Sequence, residues 1–188
     1  MARSQLLLVP NLITIARIAA TPVVCALVMA GDTNLRIAAL ILYIAAAASD
    51  WLDGYLARAW NQGSPLGRML DPIADKLLVG ILVAVFAWDG SFSALDMVPV
   101  IAILLREFFI SGLREFLGNA EVVLPVSRLA KWKTTIQLVA LAIVMLEPIV
   151  PGLGLVSDLV LWLAGILTLW TGLQYLLASW PHFSGEAK

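Results

Sequence analysis

Histidine and cysteine are almost missing from this chain, with one of each among 188 residues. A lone cysteine excludes an internal disulfide, and Cys25 sits in an apolar run as a small hydrophobe would. The lone histidine, His182, lies past the last apolar segment at an interfacial position and is assigned no chemistry. Charge is scarce too: 13% of residues are charged and 61% are hydrophobic, far more apolar residue than a soluble domain of this length needs. No low-complexity tract, clear internal repeat or separate soluble domain interrupts the chain. The net charge of −1 says little about partners, and no nucleic acid is expected. One membrane domain over 1–188 is expected.

Long apolar segments recur between short polar breaks. They fall at roughly 8–30, 35–59, 65–88, 96–117, 129–147 and 155–179. Each can cross a hydrocarbon core of about 30 Å, which takes ~20 residues. Arg3 and Leu6 to Val9 look like the start of a signal peptide, but Pro10, Asn11 and Arg17 interrupt the run and no small-residue cleavage site follows. A retained first helix is expected. Ser64-Pro65 reads as an N-cap followed by proline at the first helical position. The fold class is therefore an all-α integral membrane protein, six transmembrane helices in one bundle.

The cations orient those helices. Arg3 precedes the first span, Arg58 and Arg68 flank the second break, and Arg114, Arg128, Lys131 and Lys133 flank the fourth. Lys188 ends the chain, and the other breaks carry only Arg36. The excess of positive charge on one side puts both termini in the cytoplasm. Trp60, Trp88, Trp132 and Trp180 fall near helix ends, where an aromatic belt anchors a span at the interface.

Four aspartates stand where charge is hardest to keep. Asp50 and Asp53 lie in Asp50-Trp51-Leu52-Asp53-Gly54-Tyr55-Leu56-Ala57-Arg58, and Asp71 and Asp75 in Gly67-Arg68-Met69-Leu70-Asp71-Pro72-Ile73-Ala74-Asp75. A carboxylate in a membrane helix is costly unless paired, and four together repel one another. The i, i+3 and i, i+4 spacings put each pair on one helix face, and a short turn lets the two helices bring all four together. Divalent metal is the simplest partner that removes both penalties. Oxygen-only ligation suits Mg²⁺ or Mn²⁺, and four carboxylates suffice for two ions, the arrangement used for displacement at phosphorus. Gly54, Ala57 and Gly67 on the same faces admit either a bulky ligand or a closely packed helix. Arg58 and Arg68 are placed to meet phosphate.

The pattern Asp50-x2-Asp53-Gly54-x2-Ala57-Arg58-x8-Gly67-x3-Asp71-x3-Asp75 resembles the signature of the CDP-alcohol phosphatidyltransferases, and the length and six spans fit that family. The resemblance implies that Asp50, Asp53, Asp71 and Asp75 bind two metal ions and that Asp75 is also the general base. It implies a CDP-diacylglycerol site at Gly54, Ala57, Arg58 and Gly67, with Arg68 beside it. It also implies a homodimer, membrane lipid around it, and a place in the bacterial cytoplasmic membrane with the active site toward the cytoplasm.

The motif leaves the acceptor alcohol open. Arg106 and Arg114 on span four and Arg128, Lys131 and Lys133 on span five suit a phosphorylated acceptor, although they also serve as topology signals. Glu107 and Glu115 are near enough in sequence to pair with these cations locally. Arg106-Glu107 through Ser111-Gly112-Leu113-Arg114-Glu115, with Lys131-Trp132-Lys133-Thr134 and Gln137, resembles the glycerol-phosphate branch of the family. That implies sn-glycerol 3-phosphate as acceptor, bound by Arg106, Arg114, Lys131 and Lys133. Asn11, Thr14 and Arg17 form a polar stripe on span one, either a contact to nucleotide or metal ligands or a helix-packing device. Intramembrane acids also mark ion pathways, so a cation transporter is the contrasting reading. It fits poorly, because acids and cations gather at one face of the membrane.

Overall fold

The computed structural model describes residues 8–119 and 128–183. Six long helices fill them: α1 (Val9–Met29), α2 (Thr33–Ala59), α3 (Pro65–Trp88), α4 (Met97–Asn119), α5 (Arg128–Leu146) and α6 (Gly154–Ser179). All six expected helices are present, with ends shifted by at most two residues. Arg3, Lys188, the side chain of Arg128 and most of the segment from Leu117 to Ser127 lie outside the described residues.

Local chemistry sets the ends. The Asp32 carboxylate accepts from the backbone N–H of Asn34 and Leu35 at 2.9 and 3.0 Å and starts α2. Ser64 starts α3 as expected, its hydroxyl accepting from the Gly67 N–H at 2.9 Å with Pro65 next in line. Between α2 and α3 the chain reverses through Asn61, whose φ of +52° lies in the left-handed region.

Four helices, α1, α2, α5 and α6, are long and apolar enough to cross a membrane. α3 and α4 match them in length, at 24 and 23 residues, but carry the charges of interest: Arg68, Asp71 and Asp75 on one, Arg106, Glu107 and Arg114 on the other. Large apolar side chains such as Ile41, Leu105, Leu155 and Leu159 point outward. A soluble protein rarely exposes so much apolar surface, whereas lipid is a good solvent for it. Trp60, Trp88, Trp132 and Trp180 are all more than half exposed and sit at or within a few residues of helix ends, as interface anchors do.

The described helices group into two compact units. The first holds α1, α2 and α3 with the last turns of α5; the second holds α4, the rest of α5, and α6. In the first unit, α1 packs on both α2 and α3 around Val24, Val28, Ala39, Tyr43, Leu78, Leu82 and Phe86. Arg36, read from sequence only as a lone cation, is buried there. It donates to the Met145 carbonyl at 3.1 Å and the Ser91 hydroxyl at 2.9 Å, pairs with Asp89 at 3.2 Å and lies over the Phe86 ring.

In the second unit, α4 packs on α6, with Ile110, Leu113 and Leu117 meeting Tyr175 and Leu176. The helices approach closely at Gly165. A Cβ there would stand 2.6 Å from Pro99 Cβ and 3.0 Å from Pro99 Cα. Neither atom can swing away, because the proline ring is rigid and the second atom is backbone. Gly165→Ala is expected to destabilise the protein by about 1–3 kcal/mol. Thermal unfolding in detergent checks this, and an unchanged melting temperature would contradict the contact.

Candidate active site

The polar stripe on α1 is the part of the site that sequence left most open. Asn11, Thr14, Arg17 and Thr21 recur at helical spacing and are all at least 98% buried. Because α1 faces both α2 and α3, the stripe projects between the two helices that carry the aspartates. Arg17 reaches deepest. Its guanidinium pairs with Asp50 at 2.6 Å, Asp53 at 2.5 Å and Asp75 at 2.9 Å, and its Nε donates to the Ser49 hydroxyl at 3.2 Å. Ser49 is fixed in turn by donating to the Ala46 carbonyl at 2.7 Å.

Thr14 completes the set one turn earlier. Its hydroxyl is within reach of Asp53 Oδ2 at 3.1 Å, Asp71 Oδ1 at 3.2 Å and the Pro10 carbonyl at 3.1 Å. It carries one proton and serves one acceptor at a time. Asp71 is followed by Pro72, which cannot donate to the carbonyl four residues back, so α3 has one fewer internal hydrogen bond beside the acids.

The four carboxylates are therefore gathered as the spacing predicted, with a protein cation among them. Metal was taken as the simplest partner for four clustered acids. The structure supplies another, Arg17, which touches three of the four. Among the described residues no group of three or more acidic, cysteine or histidine side chains stands in a geometry that would hold a metal ion. The chemistry of the donor set still fits a hard divalent ion, since every ligand on offer is a carboxylate oxygen. The side chains of Asp50 and Asp75 are 48% and 54% exposed, so both can be approached from outside. Asp53, at 5%, is buried.

A cleft opens beside this cluster. Pro10 and Asn11 line it from α1, Asp53, Gly54 and Ala57 from α2, and Gln62, Gly63 and Ser64 from the turn. Gly67, Arg68 and Asp71 close it from α3. Most motif positions thus share one cavity wall. The two motif glycines differ in why they must be small. A Cβ on Gly67 would fall 2.7 Å from Asn11 Oδ1 and 3.2 Å from Ser64 Oγ, so packing within the protein already demands glycine. A Cβ on Gly54 would meet only the Arg58 guanidinium, at an ordinary 3.6 Å. Nothing in the fold requires glycine at 54, and the free wall faces the cleft. Asn11 is held against α3 by donating to Ser64 Oγ at 2.8 Å. Arg58 is exposed and lies over Gly54 rather than in the cleft wall. Thr14 is likewise set against the acids and does not line the cleft.

The second unit carries the other cation cluster. Glu107 bridges two of its members, accepting from Arg106 Nη1 at 3.3 Å and pairing closely with Lys133. The local pairing anticipated for Glu107 with an arginine is present, and Lys133, 26 residues away, joins it. Arg106 is packed against Gly172, where a Cβ would lie 2.8 Å from Arg106 Cγ. Gln137 is 97% buried one turn past Lys133, and its Oε1 has no hydrogen-bond partner. Arg114 is exposed and stacks over Tyr175 at 5.2 Å, and Lys131 is exposed.

A sequence model of the CDP-alcohol phosphatidyltransferases matches residues 7–170, which takes in the acid cluster, the cleft and most of the second cation cluster. The chain belongs to this family. Among its curated relatives is the CDP-diacylglycerol–glycerol-3-phosphate 3-phosphatidyltransferase of Rickettsia bellii, 43% identical over 177 residues, covering 93% of this chain and 96% of the relative. Proteins of the same name from Pseudomonas fluorescens and Shigella flexneri are 37% and 38% identical, covering 96% and 91% of this chain and 94% of each relative. The acid-bearing faces of α2 and α3 thus meet within the matched region, and α1 contributes the cation between them.

Proposed function

We propose that this protein transfers the phosphatidyl group of CDP-diacylglycerol to sn-glycerol 3-phosphate, releasing CMP. The observation that carries the reading is the gathering of Asp50, Asp53, Asp71 and Asp75 beside a cleft whose wall Asp53 and Asp71 reach and Gly54 leaves open, in a member of this family.

The cleft between the α2–α3 turn and the acids takes the cytidine diphosphate part of the donor. Gly54 and Ala57 let it lie close to the α2 backbone, and Arg68 offers a charged fork to phosphate. Asp50, Asp53, Asp71 and Asp75 would hold two Mg²⁺ or Mn²⁺ ions, which when bound neutralise the diphosphate and the charge that grows on departing CMP. Asp75 accepts the proton of the acceptor's 1-hydroxyl as that oxygen bonds to the β-phosphorus and the bond to CMP breaks. Its exposed carboxylate is open to an incoming alcohol, which the buried Asp53 is not. Arg106, Arg114, Lys131 and Lys133 hold the acceptor's phosphate. Both water-soluble species arrive from the cytoplasm, the acyl chains stay in the bilayer of the bacterial cytoplasmic membrane, and the working form is a homodimer.

The test is CMP release by purified protein with CDP-diacylglycerol and Mg²⁺ or Mn²⁺. Glycerol 3-phosphate should exceed serine as acceptor by at least about 100-fold, since a site built around a charged group rejects analogues that leave it unpaired, and it should also be preferred over inositol phosphate and phosphatidylglycerol. A different preferred acceptor would reassign the second cation cluster. Ion flux in liposomes without CMP release would make the protein a transporter.

A further inference from the structure

Arg17 is not part of the acid signature, yet it is the best-connected charged residue in the first unit. It is 98% buried, and its three nitrogens meet Asp50, Asp53, Asp75 and Ser49. A guanidinium so placed satisfies oxygens that a divalent ion would otherwise use. We propose that Arg17 is an internal counter-ion of the acid centre, a positioning residue that holds the carboxylates together before cations arrive and competes with them for the same oxygens. The inference rests on the metal-binding reading of the four aspartates.

The argument is one of charge and geometry. Four carboxylates brought together without a cation repel strongly in a poorly hydrated site. Arg17 removes that repulsion for three of them at once, and its fork geometry suits several carboxylates better than an ammonium does. Thr14 attends to the fourth, Asp71. The same positive charge raises the cost of bringing in a divalent ion, so cation binding becomes an exchange in which the guanidinium yields at least one of its partners. Arg17 thereby lowers affinity for the ions while stabilising the protein that lacks them.

Both halves can be measured without turnover. Mn²⁺ binding to detergent-purified wild-type, Arg17→Gln and Arg17→Lys proteins is followed by the loss of the free-ion electron paramagnetic resonance signal. Thermal unfolding is recorded in EDTA and in saturating Mn²⁺. Arg17→Gln is expected to bind Mn²⁺ about tenfold more tightly or better, to melt lower than wild type in EDTA, and to gain more from Mn²⁺. Arg17→Lys keeps the charge without the fork and should fall between the two, which preserves the test if the glutamine variant does not fold. Equal or weaker binding in both variants would overturn the counter-ion role, because a ligand-orienting residue lowers affinity when removed. If wild type takes up no Mn²⁺ at millimolar concentration, the metal reading itself fails, and this inference with it.

Discussion

Asp75→Asn should abolish most turnover, lowering kcat by about 10²–10⁴-fold, the usual contribution of a positioned general base. The substitution preserves shape and leaves one carbonyl oxygen for the Arg17 contact now made at 2.9 Å. What it removes is the ability to take a proton. Binding of CDP-diacylglycerol should therefore suffer less than in Asp50→Asn or Asp71→Asn. The contrast is sharpest with Asp50, which shares the Arg17 contact and is similarly exposed, at 48% against 54%. Any difference between the two then reflects chemistry more than burial. Single-turnover rates and donor affinity, measured on the three variants, separate the roles. Equal losses in both quantities at all three positions would leave the base assignment without support.

The second large effect is expected at the acceptor. Arg114→Ala should raise the KM for glycerol 3-phosphate by about 10–100-fold, as loss of a hydrogen bond to a charged group does, and leave the CDP-diacylglycerol KM nearly unchanged. The structure separates Arg114 from its neighbours. Arg106 and Lys133 already share Glu107, so a phosphate must draw them away from a carboxylate. Among the described residues no carboxylate pairs with Arg114, whose guanidinium lies over the Tyr175 ring with its edges open to an anion. Arg106→Ala and Lys133→Ala would confound recognition with folding, since each leaves Glu107 short of a partner in a half-buried setting. The reverse pattern for Arg114, a raised donor KM alone, would move this cluster to the nucleotide.

Much of this was legible in the residues. Apolar runs, breaks and caps located six helices, because chain length against bilayer thickness and a serine before proline are local signals. The spacing of Asp50, Asp53, Asp71 and Asp75 told which acids share a face for the same reason. What stayed hidden depends on which face meets which. The stripe Asn11, Thr14 and Arg17 was visible as a stripe, but periodicity within α1 does not say that α2 and α3 stand opposite it. Arg17 was therefore missed as a partner of the acids. The same limit explains Lys133 on Glu107 and Arg36 on Asp89, pairs separated by 26 and 53 residues. Gly67 shows the limit at finer scale: its need to be small comes from Asn11, 56 positions earlier, as well as from any ligand.

The buried face of α1 has one more implication. Lipid gives packed helices no hydrophobic reason to prefer one rotation over another, so polar contacts must select it. Here Asn11, Thr14 and Arg17 engage groups that lie in the groove between two neighbours. Adding or deleting a single residue before Arg17 would turn the preceding part of the helix by about 100° relative to it, and Asn11 would leave Ser64 as Arg17 kept its acids. The first span is thus keyed like a spline in a shaft, and its hydrophobic positions can drift among aliphatic residues while its angular setting cannot.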